Sequence, residues 1–586
     1  MSKSPQSAKR FGRAALASSA VAGLVVTGLM AATSGSATAA TAGPKTGGTL
    51  ILLEHQPKLD HLDPSRIYTG RDLAFENSFF IRTLVAYTPK AGPGGASLVP
   101  DLATNTGVPS NEAKTWKFTL RPCSTFEDGT KITCAHVKYG VSRVFATDII
   151  TDGPAYLNSW LDLGGVNYKG PYANDSAGQA AFDKAVTCSK DDRTITFNLN
   201  KSVADFNYLA TYGVISPVQQ KLDKGDSYDL RPQATGPYKI DENTKNQLKL
   251  VRNPKWNKSS DPVRTPYPDE IVMKFGLDEQ VMDEIMLNDT MWNAVNFDGP
   301  LPANKDKFFT DERYKDRRLN VNDPYARYVA FNLKKMPCLE IRQAMYYARD
   351  AKAILNYAGG TFFGGSYATG VISPLLGLDY EPTKVVGPGS ADFIEAGNVA
   401  KAKELMAKAQ TSCPADYKKA TTDPGITIDV SNSATLQDTI PINQTAFKRA
   451  GIIVNYNIIK SGYYSTVLNP AKQSDMSTGG WGADWANAST VIPELFTKEG
   501  GFNLSQNWND AAYPAFKKLS DSGKAETNRN KQAAIWKKAS QYVMDQYWII
   551  RPVFSKGQEV WGSKVGGVYY WEPQGNFGFG GLYVKA

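Results

Sequence analysis

The sequence predicts a mixed α/β protein that is built from more than one lobe. The chain has 586 residues, whereas a single hydrophobic core stops growing near about 250–300 residues. Some segments alternate apolar and polar residues, which predicts half-buried strands, and others place apolar residues three and four apart, which predicts helices. These elements follow no regular βαβ rhythm, and the mixture therefore favours several α/β lobes.

The strands are predicted from short apolar or alternating runs. Residues 49–53 (TLILL) form a short apolar run, which predicts a buried strand near the start of the mature chain. The alternating sets that predict half-buried strands are Trp116, Phe118 and Leu120; Ile195, Phe197 and Leu199; and Ile426, Ile428 and Val430.

The helices are predicted from apolar residues that fall on one face. The three sets are Ile341, Ala344, Met345, Ala348, Ala351 and Leu355; Val399, Ala402, Leu405, Met406 and Ala409; and Ile535, Trp536, Ala539, Tyr542 and Val543. Asn398 directly precedes the second set and is a suitable N-cap. Residues 387–397 begin with Gly-Pro-Gly and are predicted to form a loop.

The N-terminus has the pattern of a secretory signal peptide. A basic stretch ends at Arg13, an apolar run of small residues extends from Ala14 to Ala32, and an Ala-Thr-Ala sequence follows at residues 37–39. We therefore expect residues 1–40 to be a signal peptide. An uncleaved anchor is the alternative, because the run approaches the ~20 residues that span a bilayer.

Charge gives little support to a nucleic-acid partner. The net charge is +9, and four of the positive residues lie among the first thirteen. No basic run follows Arg13, so the mature chain lacks the concentrated patch that nucleic-acid binders carry.

The cysteine pattern is compatible with export. Five cysteines occur at positions 123, 134, 188, 338 and 413, none of them in a C-x-x-C pair, and the chain has only three histidines. This supply is poor for a metal site, and we expect neither metal nor cofactor. In an oxidising compartment Cys123 and Cys134 are close enough in sequence for a disulfide, although the spacing does not require one. The pairing stays open, and the odd count leaves at least one cysteine without a partner in the chain.

The motifs of several enzyme classes are missing. The sequence contains no G-x-x-x-x-G-K-[ST] loop, no H-E-x-x-H and no G-x-S-x-G elbow. A carboxylate pair is the remaining catalytic option that the sequence leaves open. We therefore expect a protein that is not an enzyme.

Twelve short segments resemble, in the same order, the family 5 extracellular solute-binding proteins, a group that includes oligopeptide- and dipeptide-binding receptors of ABC importers. They are Leu62–Pro64, Pro100–Ala103, Trp116–Arg121, Phe126–Thr130, Ile132–Val137, Ala234–Tyr238, Leu248–Trp256, Val329–Asn332, Ile341–Ala344, Ala400–Leu405, Ser474–Met476 and Gly480–Trp485. Two positions depart from the family pattern. His136 stands where an acidic residue is usual, and Ala486-Asn487 replaces an acidic-Pro pair.

The resemblance implies a two-lobed periplasmic-binding-protein-like α/β fold with an extra domain and a hinge. Lobe I would comprise residues 45–88, 215–310 and 555–586. Domain II would span residues 89–214, and lobe III residues 311–554. The ligand would bind in the cleft between the lobes, which close over it.

The resemblance also implies the cargo and the site. In peptide-binding members the Asp that matches Asp484 meets the α-ammonium of the ligand, and Trp481 and Trp485 would then form the walls of side-chain pockets. The peptide backbone would be bound like an added strand. The expected function is therefore capture of short peptides by an extracytoplasmic monomer and their delivery to ABC permease subunits.

Two other functions stay open. The same fold could bind an oligosaccharide or another small solute, because 11 Trp and 29 Tyr would suit stacking on sugar rings. A secreted hydrolase is the more remote alternative. No cysteine precedes Cys123, so lipid attachment at a cleavage-site cysteine is not expected, and the protein would be released, periplasmic or held at the membrane surface.

Overall fold

The predicted first strand, Thr49–Leu53, lies inside a five-stranded sheet in the computed structural model. The strands of this first sheet are, in spatial order, Ala294–Asn296, Thr49–Leu53, Glu270–Lys274, Gln247–Arg252 and Tyr238–Asn243. The first strand runs parallel to both neighbours, and the other pairs are antiparallel. The structure describes residues 44–460, 463–469, 471–498, 500–505 and 512–586. The predicted signal peptide lies outside these residues.

The two other large sheets use the remaining predicted strands. An antiparallel four-stranded sheet has the order Val108–Ser110, Thr115–Thr119, Thr194–Asn198 and Val186–Cys188. The third sheet has the order Val454–Ile459, Ile426–Ser431, Met476–Trp481, Ala326–Phe331 and Ile549–Ile550. The predicted strands at 116–120, 195–199 and 426–430 are thus confirmed within a residue of their ends.

The structure also contains two-stranded antiparallel ribbons outside the three large sheets. They pair Val85–Tyr87 with Leu98–Pro100, Arg318–Asn322 with Lys556–Val560, Ser366–Tyr367 with Val553–Phe554, Val565–Gly566 with Tyr583–Val584, and Tyr570–Trp571 with Asn576–Phe577.

The helices lie between and around these sheets. They are Gly70–Phe79, Cys134–Arg143, Tyr156–Trp160, Ser176–Ala185, Phe206–Leu209, Glu279–Asn288, Lys305–Thr310, Leu339–Ala348, Ala351–Tyr357, Gly360–Phe363, Val399–Ser412, Pro414–Thr421, Ala434–Asp438, Ile440–Arg449, Tyr463–Val467, Ile492–Phe496, Pro514–Ala525 and Arg529–Asp545. No helix within the described ranges is both long enough and apolar enough to cross a bilayer.

The helix predicted over residues 341–355 is divided in two, because the chain leaves the helical conformation at Arg349 and Asp350. The side chain of Asp350 caps the new helix by accepting from the N–H of Ala353 at 2.8 Å. The N-cap predicted at Asn398 is confirmed, since its side chain accepts from the N–H of Lys401 at 3.0 Å. Residues 387–397 form the predicted loop.

Two large apolar cores stabilise the fold. The first lies among the first two sheets, and the second surrounds the third sheet and the helices packed on it. The strands of the first two sheets come from residues 49–296 and those of the third from residues 326–550. The predicted boundaries at residues 89, 215, 311 and 555 stay predictions.

The disulfide considered between Cys123 and Cys134 is wrong. Cys134 begins helix Cys134–Arg143, and its Cα lies 5.8 Å from that of Cys188 on the neighbouring strand, to which it is bonded. A second disulfide joins Cys338 to Cys413. Cys123 is exposed and free. Sequence proximity misled the prediction because the sheet brings a residue 54 positions away closer to Cys134.

His136, the first departure from the family pattern, caps the same helix. Its Nδ1 accepts a hydrogen bond from the N–H of Thr133 at 3.2 Å, which completes a capping box. Burial lowers the pKa of His136, so the ring is neutral near pH 7 and can accept. A histidine therefore performs at this helix start the task that an acidic side chain performs in a common capping box.

Candidate functional site

The chain leaves the third sheet at Trp481 and forms a tight turn that ends in the short helix Ala488–Thr490. Three hydrogen bonds fix this turn. The indole N–H of Trp481 donates to the carbonyl of Thr490 at 2.7 Å, and the N–H of Asp484 donates to the Thr490 hydroxyl at 3.1 Å. The N–H of Ala488 donates to the buried carboxylate of Asp379 at 2.8 Å. Asp484 is thus held at the tip of a braced turn.

Tyrosines from distant parts of the chain surround Asp484. The hydroxyl of Tyr68 donates to its Oδ2 at 3.3 Å, and that of Tyr156 donates to the same oxygen. Tyr212 donates to the main-chain carbonyl of Asp484 at 2.5 Å. Burial raises the pKa of all three phenols, so they stay protonated and act as donors. Among the described residues no hydrogen bond is made to Oδ1.

The carboxyl group of Asp484 is electrostatically uncompensated. Burial, with a smaller contribution from the charge of Glu494, raises its pKa to about 7, although the two tyrosine hydrogen bonds act in the opposite direction. Within the described part of the chain no Lys, Arg or His forms an ion pair with it. A carboxylate that is removed from water without a cation is unstable unless a ligand supplies one.

Trp485 and Trp481 lie on opposite sides of Asp484 in sequence and differ in burial. Trp485 is 2% exposed, belongs to the first core and contacts Tyr156 at 5.2 Å between ring centroids. Tyr208 stacks on it at 6.3 Å. Trp481 is half-buried and packs against the second core, with Phe502 at 5.1 Å. Trp485 thus ties the turn to the first core, whereas Trp481 presents more of its ring to the cleft.

These residues line a cleft between the two cores. One cavity of about 510 Å³ contains Asp484, Tyr212 and Arg529 in its wall. A second cavity of about 620 Å³ has Tyr156 in its wall. Tyr68, Trp481 and Trp485 line both cavities, which are therefore neighbouring parts of one cleft. Both volumes lie in the range of small-ligand sites.

The third sheet is open where it meets the cleft. Strand Met476–Trp481 pairs along its whole length with Ala326–Phe331, but on its other edge only Met476 and Ser477 have strand partners. Beyond Ser477 this strand no longer pairs with Ile426–Ser431, and the hydroxyl of Tyr463 donates to the Thr478 carbonyl there at 2.7 Å. Among the described residues the edge from Gly479 to Trp481 thus has no strand neighbour, and an extended ligand can pair with it.

The sequence predicted three residues of this cleft and missed the tyrosines. Asp484, Trp481 and Trp485 lie together in its wall. Tyr68, Tyr156 and Tyr212 belong to no motif, and the one local signal is the pair Tyr156 and Trp160, whose rings lie 4.8 Å apart on one helix. That signal does not distinguish a ligand site from a packed core.

The clusters of potential metal ligands have other partners. Two of them contain the disulfide-bonded cysteines. In the third, formed by Glu54, His55 and Asp298, the Arg71 guanidinium lies 3.0 Å from Glu54 and 3.1 Å from Asp298. An ion-pair network therefore accounts for this cluster.

Comparison with known structures identifies the class of protein. The chain superimposes on the clavulanic acid biosynthesis oligopeptide binding protein 2 with a TM-score of 0.82 and 25% identity, covering 92% of this chain and 96% of that one. It also matches Helicobacter pylori DppA, solved in complex with the peptide STSA, with a TM-score of 0.68 and 18% identity, covering 92% and 99% of the two chains. The predicted two-lobed α/β fold of binding proteins is confirmed.

The family follows from the sequence match. Residues 97–503 match the model of the bacterial extracellular solute-binding proteins, family 5, over more than half of the chain, and the protein belongs to this family. The oligopeptide-binding protein OppA of Bacillus subtilis (strain 168) is 22% identical over 456 residues, covering 75% of this chain and 76% of that protein. A dipeptide-binding protein of Lactococcus lactis subsp. cremoris (strain MG1363) is 24% identical over 447 residues, covering 71% and 73%. The family and these relatives are substrate-binding proteins.

Proposed function

We propose that this protein captures short peptides outside the cytoplasmic membrane and delivers them to an ABC permease, with Asp484 receiving the α-ammonium group of the peptide. The observation that carries this proposal is the Asp484 carboxylate, which lies in an aromatic cleft and forms no ion pair with any described Lys, Arg or His. A peptide N-terminus supplies the missing charge together with three N–H donors, of which Oδ1 can accept one.

The rest of the cleft suits a peptide backbone. The free strand edge from Gly479 to Trp481 offers main-chain donors and acceptors to an extended chain of any sequence. Trp481 and Trp485, which line the same cavity as Asp484, would form the walls of side-chain pockets beside the ammonium position. Backbone pairing together with aromatic walls supports binding of many peptides rather than one.

The relatives support the cargo. Two similar proteins are named for oligopeptide binding and one for dipeptide binding. Two structures of this fold contain peptides, the Helicobacter pylori DppA complex with STSA and the Haemophilus influenzae OppA complex with RPPGFSPFR.

Location and partners belong to the same proposal. Residues 1–40 would direct export, and the protein would act as a monomer at the outer face of the cytoplasmic membrane or in the periplasm. Lobe I (45–88, 215–310 and 555–586) and domain II (89–214) would close on lobe III (311–554) around the peptide. Asp484 is hydrogen-bonded to Tyr68 and Tyr156, so contacts already connect both sides of this cleft. The permease would then recognise the closed form.

An oligosaccharide is the second candidate, and the aromatic cluster favours it. The rings of Tyr156, Trp160 and Trp485 lie within 6.3 Å of one another and line the cavity of about 620 Å³. Such surfaces stack on sugar rings, but a neutral sugar does not require the charge of Asp484.

The test combines native mass spectrometry of the protein as secreted by its host with calorimetric titration of di- to hexapeptides. Asp484→Ala should weaken peptide binding by at least about 30-fold, because truncating one partner of a buried charge pair costs 2–5 kcal/mol. Asp148→Ala is the matched control, since Asp148 is exposed and lies outside the cleft. Peptide binding that Asp484→Ala leaves intact would remove Asp484 from the site, and heat from oligosaccharides alone would replace the peptide as cargo.

A further inference from the structure

A third cavity, of about 600 Å³, lies on one face of the third sheet. Val329 and Val430 from the sheet and Ile354 and Phe447 from two helices give it apolar walls. None of the described residues in its wall also lines either cavity of the cleft. It is therefore a compartment of its own, although Gly480 brings it next to the strand edge.

The wall of this cavity contains Arg349, a buried arginine with an unused donor edge. Arg349 is 6% exposed, and its guanidinium carbon lies 3.5 Å from the centroid of the Tyr346 ring. Its Nη1 donates to the carbonyl of Tyr346. Its Nε and Nη2 have no hydrogen-bond partner among the described residues. These two nitrogens form the edge of a guanidinium group that binds an oxyanion through two parallel hydrogen bonds.

A second buried arginine shows how this protein satisfies such a group elsewhere. Arg342 is 3% exposed, and its three guanidinium nitrogens donate to main-chain carbonyls at 2.7 to 3.2 Å. Arg349 keeps one carbonyl partner and leaves its other two nitrogens unpaired. A buried cation with unpaired donors is unfavourable unless a ligand supplies the acceptor.

The other charged residues in the wall have partners of their own. Arg327 forms an ion pair with Asp323 at 2.7 Å. Asp350 lies 3.5 Å from Arg449, and it also caps the helix that follows. The charge that a ligand would meet unpaired in this cavity is therefore that of Arg349.

Tyr328 adds a further donor to the wall. It is 4% exposed, and its hydroxyl has no hydrogen-bond partner among the described residues. Together with Arg349 it suits a carboxylate, which accepts several hydrogen bonds at once. A bare inorganic anion would leave the apolar walls in contact with water, whereas an apolar body would cover them. The lining therefore favours a carboxylate that carries an apolar group.

We propose that this cavity binds a small organic acid. Its carboxylate pairs with the Nε and Nη2 of Arg349 and accepts from the Tyr328 hydroxyl, while its apolar body lies against the third sheet. This ligand is distinct from the peptide, and the inference does not rest on the proposed peptide-binding function. It gives the protein a second binding site, for an anionic solute.

The test is calorimetric titration of the mature protein with acetate, butyrate, hexanoate and inorganic phosphate at constant ionic strength. Hexanoate should bind in a saturable manner at one site. Each methylene group that becomes buried between acetate and hexanoate should raise the affinity about fourfold. Phosphate, which has no apolar body, should bind more weakly than hexanoate. Equal affinity for all four anions, or no saturable heat with any of them, would overturn the inference.

Variants of the two donors locate the site. Arg349→Lys keeps the charge but loses the two-nitrogen edge, so hexanoate should bind at least about 10-fold more weakly. Arg342→Lys is the matched control, because it changes a buried arginine outside the cavity and should leave hexanoate affinity unchanged. Tyr328→Phe keeps the ring and should weaken hexanoate about 2- to 10-fold. Unchanged hexanoate affinity in Arg349→Lys would overturn the inference, and if that variant does not fold, unchanged affinity in Tyr328→Phe would do so.

Peptide titrations separate this site from the peptide cleft. The affinity for tetra-alanine should be the same with and without saturating hexanoate. Release of hexanoate by tetra-alanine but not by its C-terminal amide would assign Arg349 to the carboxyl terminus of the peptide and overturn the second ligand. Absence of heat with every peptide would overturn the proposed function and leave the hexanoate result unaffected.

Discussion

Peptide affinity should fall as the pH drops through neutrality, because Asp484 must be ionised to attract an ammonium group. Its pKa is raised to about 7 in the ligand-free protein, chiefly by burial. A bound ammonium favours the ionised form, so protonation competes with the peptide. If the bound form stays ionised throughout, the Kd should rise about 25-fold between pH 7.5 and pH 5.5.

The same pKa predicts an opposite effect on stability. An unfolded Asp loses its proton near pH 4, whereas folded Asp484 keeps it until about pH 7. Between these values the folded state binds more protons, so the free energy of unfolding of the ligand-free protein should decrease as the pH rises. Asp484→Asn removes the ionisation and retains an oxygen acceptor for the tyrosines. It should stabilise the ligand-free protein at pH 8 by on the order of 2–4 kcal/mol while weakening peptide binding.

Both effects can be measured on the same preparations. Calorimetric titration with one tetrapeptide from pH 5.5 to 8 gives the affinity profile, and urea unfolding at pH 5 and pH 8 gives the stability. Asp148→Asn should follow the wild type in both assays. A flat affinity profile in the wild type, or an equally steep one in Asp484→Asn, would refute the assignment of the titrating group. A loss of stability at pH 8 in Asp484→Asn would show that the carboxylate is compensated in the folded protein.

Three further predictions concern the stability of the folded protein. Trp485→Ala should destabilise the protein by about 3–5 kcal/mol in urea unfolding, because the ring is 2% exposed; a change below about 1 kcal/mol would place it outside the core. Replacing Cys134 and Cys188 together by Ser should cost about 2–4 kcal/mol, whereas Cys123→Ser should have no effect, and thiol titration of the unfolded wild type should count one free thiol. Because its folded pKa is lowered, neutral His136 contributes stability above pH ~6.5 that is lost as the pH falls. His136→Ala should therefore cost about 1 kcal/mol at pH 7.5 and less at pH 5, and an equal cost at both pH values would exclude the cap.

The second departure from the family pattern has a physical explanation in the structure. Asn487 is fully buried, and its amide donates to Asp205 at 3.1 Å and to Gln532 at 2.8 Å. A proline, which is usual at this second position of the pair, has no side-chain donor and would leave Asp205 and Gln532 without these two hydrogen bonds. The amide of Asn487 therefore fits its neighbours, whereas the usual proline would not. Sequence comparison reveals the departure but not the partner that explains it.

Local chemistry was sufficient for much of the fold. Alternating residues at 195–199 and 426–430, and the N-cap at Asn398, were predicted correctly because their structures depend on nearest neighbours and on one buried face. The division of the helix at Arg349 was missed, because the apolar spacing continues across a break that Asp350 caps.

The sequence by itself determined the family and the α/β class and predicted one anchor, Asp484, because short ordered motifs carry that information. Tertiary structure alone brought Tyr68, Tyr156 and Tyr212 to that anchor across 272 to 416 residues and paired Cys134 with Cys188. It also left the strand edge from Gly479 to Trp481 without a strand partner among the described residues. These features depend on which surfaces are packed together and which are left unpaired, and spacing along a chain does not report either.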